Sequence, residues 1–290
     1  MTTTNLSLPI DKLRPLWYNI RVIRVRVVYT DYTKIPNYPK DEKMNIVTFD
    51  TETISTTKPF VYNIGYVISD EDGNAIISHD FIVSETWNNK MLFNTAYYAD
   101  KQNIYISRMK GKQVVKRKWL DIITLMAQEF ETYNVQHGYA CNSDFDERVF
   151  AFNADWFKTF NPFENVKVHD IRGYAHKAFC RSDDYADFCE KFGLFTDSGN
   201  YSSTAETLFK YVTGETDFEE EHTALADSVI ELDVLLACRA NGCDLLVDYP
   251  VSRTLPRRTL QTLTVRTMDG EEVEFEYHTK TTRNGKIYLK

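Results

Sequence analysis

The chain has 290 residues, 43% of them apolar, enough for one large domain with a sizeable buried core and too many for wholesale disorder. Lys and Arg total 34 against 42 Asp and Glu, a net charge of −8, which excludes a domain built only to coat nucleic acid. Five cysteines, an odd number scattered along a long chain, exclude a disulfide framework, and no uninterrupted apolar run of about 18 residues marks a membrane span.

Residues 1–43 carry a net +4, and Arg alternates with Ile and Val from Ile20 to Val28 in the manner of an exposed strand. We expect this part to be a dispensable arm or an upstream extension, because Met44 stands directly before the first strand of the main domain. The main domain, 44–250, nets −15. It opens with a strand over Asn45–Asp50. The apolar run Val61–Ser69 is a second strand, and Asp72-Gly73 turns the chain into a third over Ala75–Val83. Residues 119–133 predict a helix with Leu120, Ile123, Ala127 and Phe130 on one face. Asn134–Ala140 reads as a strand, helical patterning begins at about Phe145, and Val166–His169 is a fifth strand. Ser203-Thr204-Ala205-Glu206 fits a capping box for a helix ending near Gly214. A last helix covers 223–240, with Leu225, Val229, Leu232 and Leu236 as its stripe. The pattern is α/β: a mixed central sheet of about five strands flanked by helices. Residues 251–290, net +3, hold turn signals at Asp269-Gly270 and Asn284-Gly285 and read as a small β-rich C-terminal appendage.

Three groups of polar residues stand out. Asp50 and Glu52, at the end of the first strand, share a face through the two-residue alternation, with Cβ atoms about 7 Å apart. They suit one or two hard cations, and equally an ordinary polar strand end. Asn142-Ser143-Asp144-Phe145-Asp146 follows a strand, so its acids are metal ligands or helix-capping and dipole-favouring residues. His222 precedes the last helix and Asp227 lies within it, close to the apolar stripe. His222 stands where Ala224 and Ala226 leave room for a ligand, or is a surface histidine beside Glu219-Glu220-Glu221.

Taken together in this order, D-x-E, N-x-x-F-D and H-x-A-x-x-D resemble the motifs of the DEDDh (DnaQ-like) 3′→5′ exonuclease superfamily, over roughly residues 45–240. The resemblance implies an RNase H-like fold and hydrolysis of DNA or RNA phosphodiester bonds from the 3′ end, releasing nucleoside monophosphates. It implies two divalent cations, Mg²⁺ or Mn²⁺, as cofactors. Asp50, Glu52, Asp146 and Asp227 match the metal-holding carboxylates, and His222 matches the general base. Asp50 would bridge both ions, Glu52 and Asp227 would serve the nucleophile side, and Asp146 the leaving-group side. Histidine suits the base role because its unperturbed pKa of about 6.5 lies near working pH; neighbouring acids are expected to raise that value and bound metal to lower it.

Substrate grip is assigned to Thr51, whose backbone position resembles one that approaches the terminal nucleotide, and to Phe145, which shapes the site or packs in the core. Lys116, Arg117 and Lys118, with Lys110 and Lys112 before them, form a basic run suited to a phosphate backbone or to plain solvation. Tyr97, Tyr98 and Tyr105 stack on bases or pack. Arg253, Arg257 and Arg258 offer a nucleic-acid or partner contact from the appendage. The expected partner is a nucleic acid with a free 3′ end, single-stranded, with no membrane; a polymerase or a second copy is compatible but has no motif of its own. The expected location is the cytoplasm, with a bacterial or bacteriophage source. Two other classes stay open: a DEDDh-like binding module that has lost hydrolysis, and a small-molecule phosphatase suggested by D-T-E-T.

Overall fold

Asn45–Thr53 (β1) is buried on both faces from Ile46 to Phe49, the pattern of a strand covered on two sides. The structure, a computed structural model, describes residues 44–96, 99–252, 259–266, 271–281 and 287–289. The N-terminal arm with Ile20–Val28, Tyr97 and Tyr98, the Arg253, Arg257 and Arg258 group, and both C-terminal turn signals lie outside the described residues.

β1 sits inside a six-stranded sheet with Val61–Asp70 (β2), Ala75–Val83 (β3), Val115–Arg117 (β4), Val135–Ala140 (β5) and Lys167–Asp170 (β6), in the order β4-β3-β2-β1-β5-β6. The sheet is mixed and helices cover both faces, the α/β class that the strand and helix pattern predicts. It has six strands rather than about five. The extra one, β4, falls in the basic run, where no apolar alternation announces a strand; it pairs parallel to β3 at the edge. β2 is antiparallel to both of its neighbours, while β3, β4, β5 and β6 run in the direction of β1. Five strands therefore deliver their C-terminal ends to one edge of the sheet, and β2 begins there. In open sheets of this kind, that edge is where ligands gather.

The helices are Ser84–Asn88 (α1), Lys90–Phe93 (α2), Gln102–Lys110 (α3), Trp119–Thr132 (α4), Ser143–Phe157 (α5), Ile171–Ala178 (α6), Asp183–Phe192 (α7), Ala205–Thr213 (α8) and Ala224–Ala240 (α9). Ile46 of β1 packs with Leu225, Leu232 and Leu235 of α9, whereas Val47 and Phe49 pack with Trp119, Ile123 and Phe150 of α4 and α5. Even-numbered residues of β1 thus face α9 and odd-numbered ones face α4 and α5. α1, α2 and α3 form a third cluster around Tyr62, Trp87 and Tyr105. A further sheet, Thr259–Arg266 (β7), Glu272–Thr281 (β8) and Ile287–Leu289 (β9), is antiparallel throughout.

Three local expectations change. In α4 the buried stripe is Trp119, Ile122, Ile123, Met126 and Phe130, and Leu120 is exposed. Trp119 has the larger apolar surface, and its ring packs against Phe150 and Phe157, so the helix turns that face inward. The cap of α8 is Thr204, whose hydroxyl accepts from the Thr207 amide at 3.3 Å, while Glu206 pairs with Lys210 instead of reaching back. α9 is buried well beyond its predicted stripe: Ala224, Ser228, Ile230, Glu231, Val234 and Cys238 are also inside, because the helix is enclosed by the sheet, α6 and α8. Among the described residues, no helix is long and apolar enough to cross a membrane.

Candidate active site

The even-numbered face of β1 ends with Asp50 and Glu52, so both side chains emerge on the α9 side of the sheet edge. What brings α9 to them is β2. Asp50 is in register with Gly65, and a Cβ on Gly65 would stand 2.0 Å from the Leu225 amide nitrogen and 2.1 Å from the Ala224 carbonyl carbon. Only a residue without a side chain lets the first turn of α9 lie directly on the strand. The contact is fastened by hydrogen bonds from the Ala224 amide to Asn63 Oδ1 (2.8 Å) and from the Ser228 hydroxyl to the Gly65 carbonyl (3.0 Å). Asp227 follows within that first turn, buried, with Oδ1 accepting no hydrogen bond.

Asp146 arrives from the other face. It lies in the first turn of α5, and the hydroxyl of Thr51, an odd-numbered β1 residue, donates to its Oδ1 at 2.6 Å. The start of α5 is set by Asp170 at the end of β6. Its Oδ1 accepts from the Asn142 amide, and Arg172 clamps both Asp170 oxygens and the Asn142 side chain. Asn142 adopts φ +69°, the left-handed region that asparagine tolerates, and so turns β5 sharply into the helix.

His222 also has a left-handed backbone, φ +51°. Its loop is held by α3 and the turn before it. Arg108 donates to the Thr223 hydroxyl at 2.9 Å, pairs with Glu221, and lies 3.5 Å from the buried Asp80. The Lys101 ammonium donates to the Glu221 carbonyl at 2.5 Å. Tyr105 donates to Asn63 at 3.0 Å and is fully buried, so it packs rather than stacking on a base. These contacts place His222 where it, Glu52 and Asp227 each offer one ligand atom, all within 4.8 Å of one another.

The electrostatics follow from burial. Glu52 is pushed up to about 8, first by desolvation and then by Glu220, against Lys101 and the Tyr62 hydroxyl. Asp227 is pushed up to about 9 by desolvation, Glu220 and Glu52. Asp146 reaches about 7 through desolvation, held back by Thr51. Asp50 is raised by desolvation and then by Asp146, Asp227, Glu231 and Glu52. Four acids whose pKa values burial and neighbouring carboxylates raise could hold a cation, and oxygens with one imidazole are a donor set that suits a divalent ion. Asp227 Oδ1, buried with no hydrogen-bond partner, is an acceptor that suits such an ion. His222 is lowered, by burial first and then by Lys101, against Glu206. Its direction is thus opposite to the rise expected from nearby acids, because desolvation and the ammonium outweigh them.

The substrate-grip candidates separate. Thr51 spends its hydroxyl on Asp146, and Phe145 is half-buried against the α4–α5 core with Arg148 over its ring. Lys116 and Arg117 lie on β4 and Lys118 precedes α4, with Lys116 donating to Asn88 and Arg117 packed over Phe81. They occupy the same sheet edge as Asp50 but three strands away, about 14 Å at ordinary strand spacing. Residues with no motif of their own also converge: Glu231, Glu220, Lys101 and the Asn63–Asp80–Arg108 set. The cue in the sequence was Gly65, a lone glycine inside an apolar strand, which marks a close backbone approach.

No protein-family model matches the chain, and no curated protein matches it either. Among solved structures, exonuclease I from Methylocaldum szegediense is similar at 17% identity and a TM-score of 0.42, over 69% of this chain and 41% of that one. E. coli exonuclease I in complex with a dA16 oligonucleotide is similar at 12% identity and 0.38, over 66% and 40%. The zinc-bound E. coli exonuclease I complex with single-stranded DNA gives 10% and 0.42, over 70% and 42%. The chain spans about two fifths of the length of each of these enzymes.

Proposed function

We propose that this protein is a divalent-metal-dependent 3′→5′ exonuclease of the DEDDh type, acting on single-stranded DNA or RNA. The observation that supports this most is the gathering of Asp50, Glu52, Asp146 and Asp227 at one sheet edge, from β1, α5 and α9, with His222 within ligand distance of Glu52 and Asp227. A binding module has no use for buried acids that repel one another, and a phosphatase has no use for His222.

Asp50, Glu52, Asp146 and Asp227 would hold two Mg²⁺ or Mn²⁺ ions. When bound, such ions supply charge that makes a phosphodiester open to attack, lower the pKa of a water molecule, and stabilise the leaving oxygen. The chain's own residues then have three tasks. Thr51 orients Asp146 by donating its hydroxyl to Oδ1. Arg108 and Lys101 hold Glu221 and Thr223, so His222 is fixed between them. His222, kept neutral by burial and Lys101, takes a proton from water as the water oxygen bonds to phosphorus and the P–O3′ bond breaks. The 3′ oxygen gains a proton, and the products are a nucleoside 5′-monophosphate and a strand one nucleotide shorter with a 3′ hydroxyl. Residues 44–250 are the catalytic body in this reading, and 251–290 an attachment to it.

The test is a 5′-labelled single-stranded oligonucleotide incubated with the purified chain, with Mg²⁺ or Mn²⁺ and with EDTA. A metal-dependent ladder of single-nucleotide steps is expected. Asp50→Asn and Asp227→Asn should each reduce the rate by at least about 10³-fold, since each removes charge from the reacting centre. Undiminished activity in either variant, or intact substrate with every metal, overturns the assignment.

A further inference from the structure

After α9 the chain runs back over α6 and the β5–β6 side of the sheet before it continues to β7. Residues 243–252 belong to no helix or strand, so side-chain contacts hold them in place. Leu245 is buried, and its carbonyl accepts from the Tyr139 hydroxyl of β5 at 2.6 Å and from the Tyr174 hydroxyl of α6 at 3.0 Å. The Tyr249 ring meets Tyr174 edge-on, and its backbone lies so close to α6 that a Cβ on Gly173 would stand 1.8 Å from the Tyr249 carbonyl oxygen. The Ser252 hydroxyl lies 3.3 Å from Nδ1 of His176.

Between these points the segment is held by charge. One oxygen of the exposed Asp248 pairs with Lys167 at 2.6 Å and the other with Nδ1 of His169, both from β6. His169 is buried, and its Nε2 lies 2.9 Å from Nδ1 of His137 on β5. The two rings are 23° from coplanar with centroids 5.1 Å apart, so they meet end to end, as a hydrogen bond between them requires. A carboxylate only accepts, so Nδ1 of His169 carries a hydrogen, and its Nε2 accepts from His137. One added proton leaves a single N–H between the rings, whichever ring takes it. A second proton sets two N–H groups against each other, and the rings must part. The other groups around the pair are Lys167, Asp244 and the phenols of Tyr139 and Tyr174, with His176 at the Ser252 end. Burial lowers both histidines most, with Lys167 adding to the effect and Asp248 opposing it. Their ordinary value, about 6.5, is the unfolded one, so the contacts are complete above it and are lost as pH falls.

We propose that His137 and His169 are a proton-operated clasp: they hold residues 243–252 to β6 through Asp248, and a second proton on the pair opens the clasp and frees the segment that carries the chain on to β7. The clasp is independent of the metal-dependent reading above.

Hydrogen exchange of the full chain tests it, read by mass spectrometry from about pH 7.5 to about pH 4.5 and corrected for the pH dependence of the intrinsic rate. Protection over 243–252 should fall at least about tenfold across that range, while β1 and α9 keep theirs. Asp248→Asn, at an exposed position, should lower protection of the same segment by about as much at pH 7.5. His137→Gln should remove the fall, because its amide offers N–H to a neutral His169 and C=O to a protonated one, so no donors collide. An imidazole NMR titration of the unmodified protein covers the case in which the glutamine variant does not fold: the opening should follow the second proton of the pair. Constant protection in the unmodified protein overturns the clasp, as does a fall shared by β1 and α9, or unchanged protection in Asp248→Asn. So does a fall that persists in folded His137→Gln, which would assign it to His176, or an opening that precedes the second proton.

Discussion

Asp146, Glu52 and Asp227 have pKa values pushed up to about 7, 8 and 9, and Glu220 reaches about 7, each with burial as the largest cause. In the unfolded chain the same groups titrate near their ordinary values of about 4. Between those limits the folded state binds more protons than the unfolded one, so stability falls as pH rises. His222 is lowered from 6.5, and the five cysteine thiols, all raised by burial, add to the fall only as pH approaches their ordinary range, so the lower part of the range from pH 7 to 9 reports mainly the acids. In EDTA, the melting temperature should fall steadily across that range. Added Mg²⁺ should raise it more at pH 9 than at pH 6, because an ion replaces the protons the acids have lost. Calorimetric melts at a series of pH values measure this, and a flat profile in EDTA would show that the acids ionise freely in the folded protein.

At the scale of elements, the decisive contact is α9 on β2. The helix carries Asp227 and Glu231 and lies where Gly65 leaves room, with Asn63 and Ser228 fastening it. A methyl group at Gly65 meets backbone atoms, which cannot swing aside as a side chain could. Gly65→Ala should therefore destabilise the fold by about 1–3 kcal/mol or more, as overpacking does. It should also reduce metal-dependent hydrolysis by about 10²-fold, since misplacing a reacting group by about 1 Å costs that much. Urea unfolding and the oligonucleotide assay read the two effects. Unchanged activity would mean that α9 can slide without disturbing the site. α3 acts similarly on His222: a single arginine, Arg108, ties Asp80 of β3 to both neighbours of the histidine.

Across the whole molecule, sheet polarity decides where charge ends up. β1, β3, β4, β5 and β6 share a direction, so one edge receives the acids of β1 and also Lys116, Arg117 and Lys118. The acidic middle of the chain, net −15, thus presents at that edge a cluster of acids and, about 14 Å away, a basic strip. If the strip follows the substrate backbone, Lys116→Ala with Lys118→Ala should weaken single-strand binding. It should also flatten the plot of log affinity against log salt by about 0.7 per lost phosphate contact, about 1.4 for the pair. Fluorescence anisotropy with a labelled oligonucleotide in Ca²⁺ measures the slope, and an unaltered slope removes the strip from the binding surface.

The sequence by itself determined the α/β class and five of the six central strands along the chain, and it singled out the five candidate residues Asp50, Glu52, Asp146, His222 and Asp227. Each of these signals is short-ranged: alternation along a strand, an acid in a helix's first turn, a few residues of spacing. It did not show β4, whose three residues lack alternation, or the short helices before it, which are held by packing around Trp87 and Tyr105. It placed the cap of α8 one residue early, because Ser203 and Thr204 offer the same hydroxyl and only the path of the chain chooses between them. Only the tertiary structure decided that α9 is enclosed on several sides, and so that Glu231 is buried beside Asp146 and Asp50 rather than solvated. Burial is a sum over contacts from distant segments, and a glutamate one turn beyond an aspartate looks the same in sequence whether it faces water or the interior.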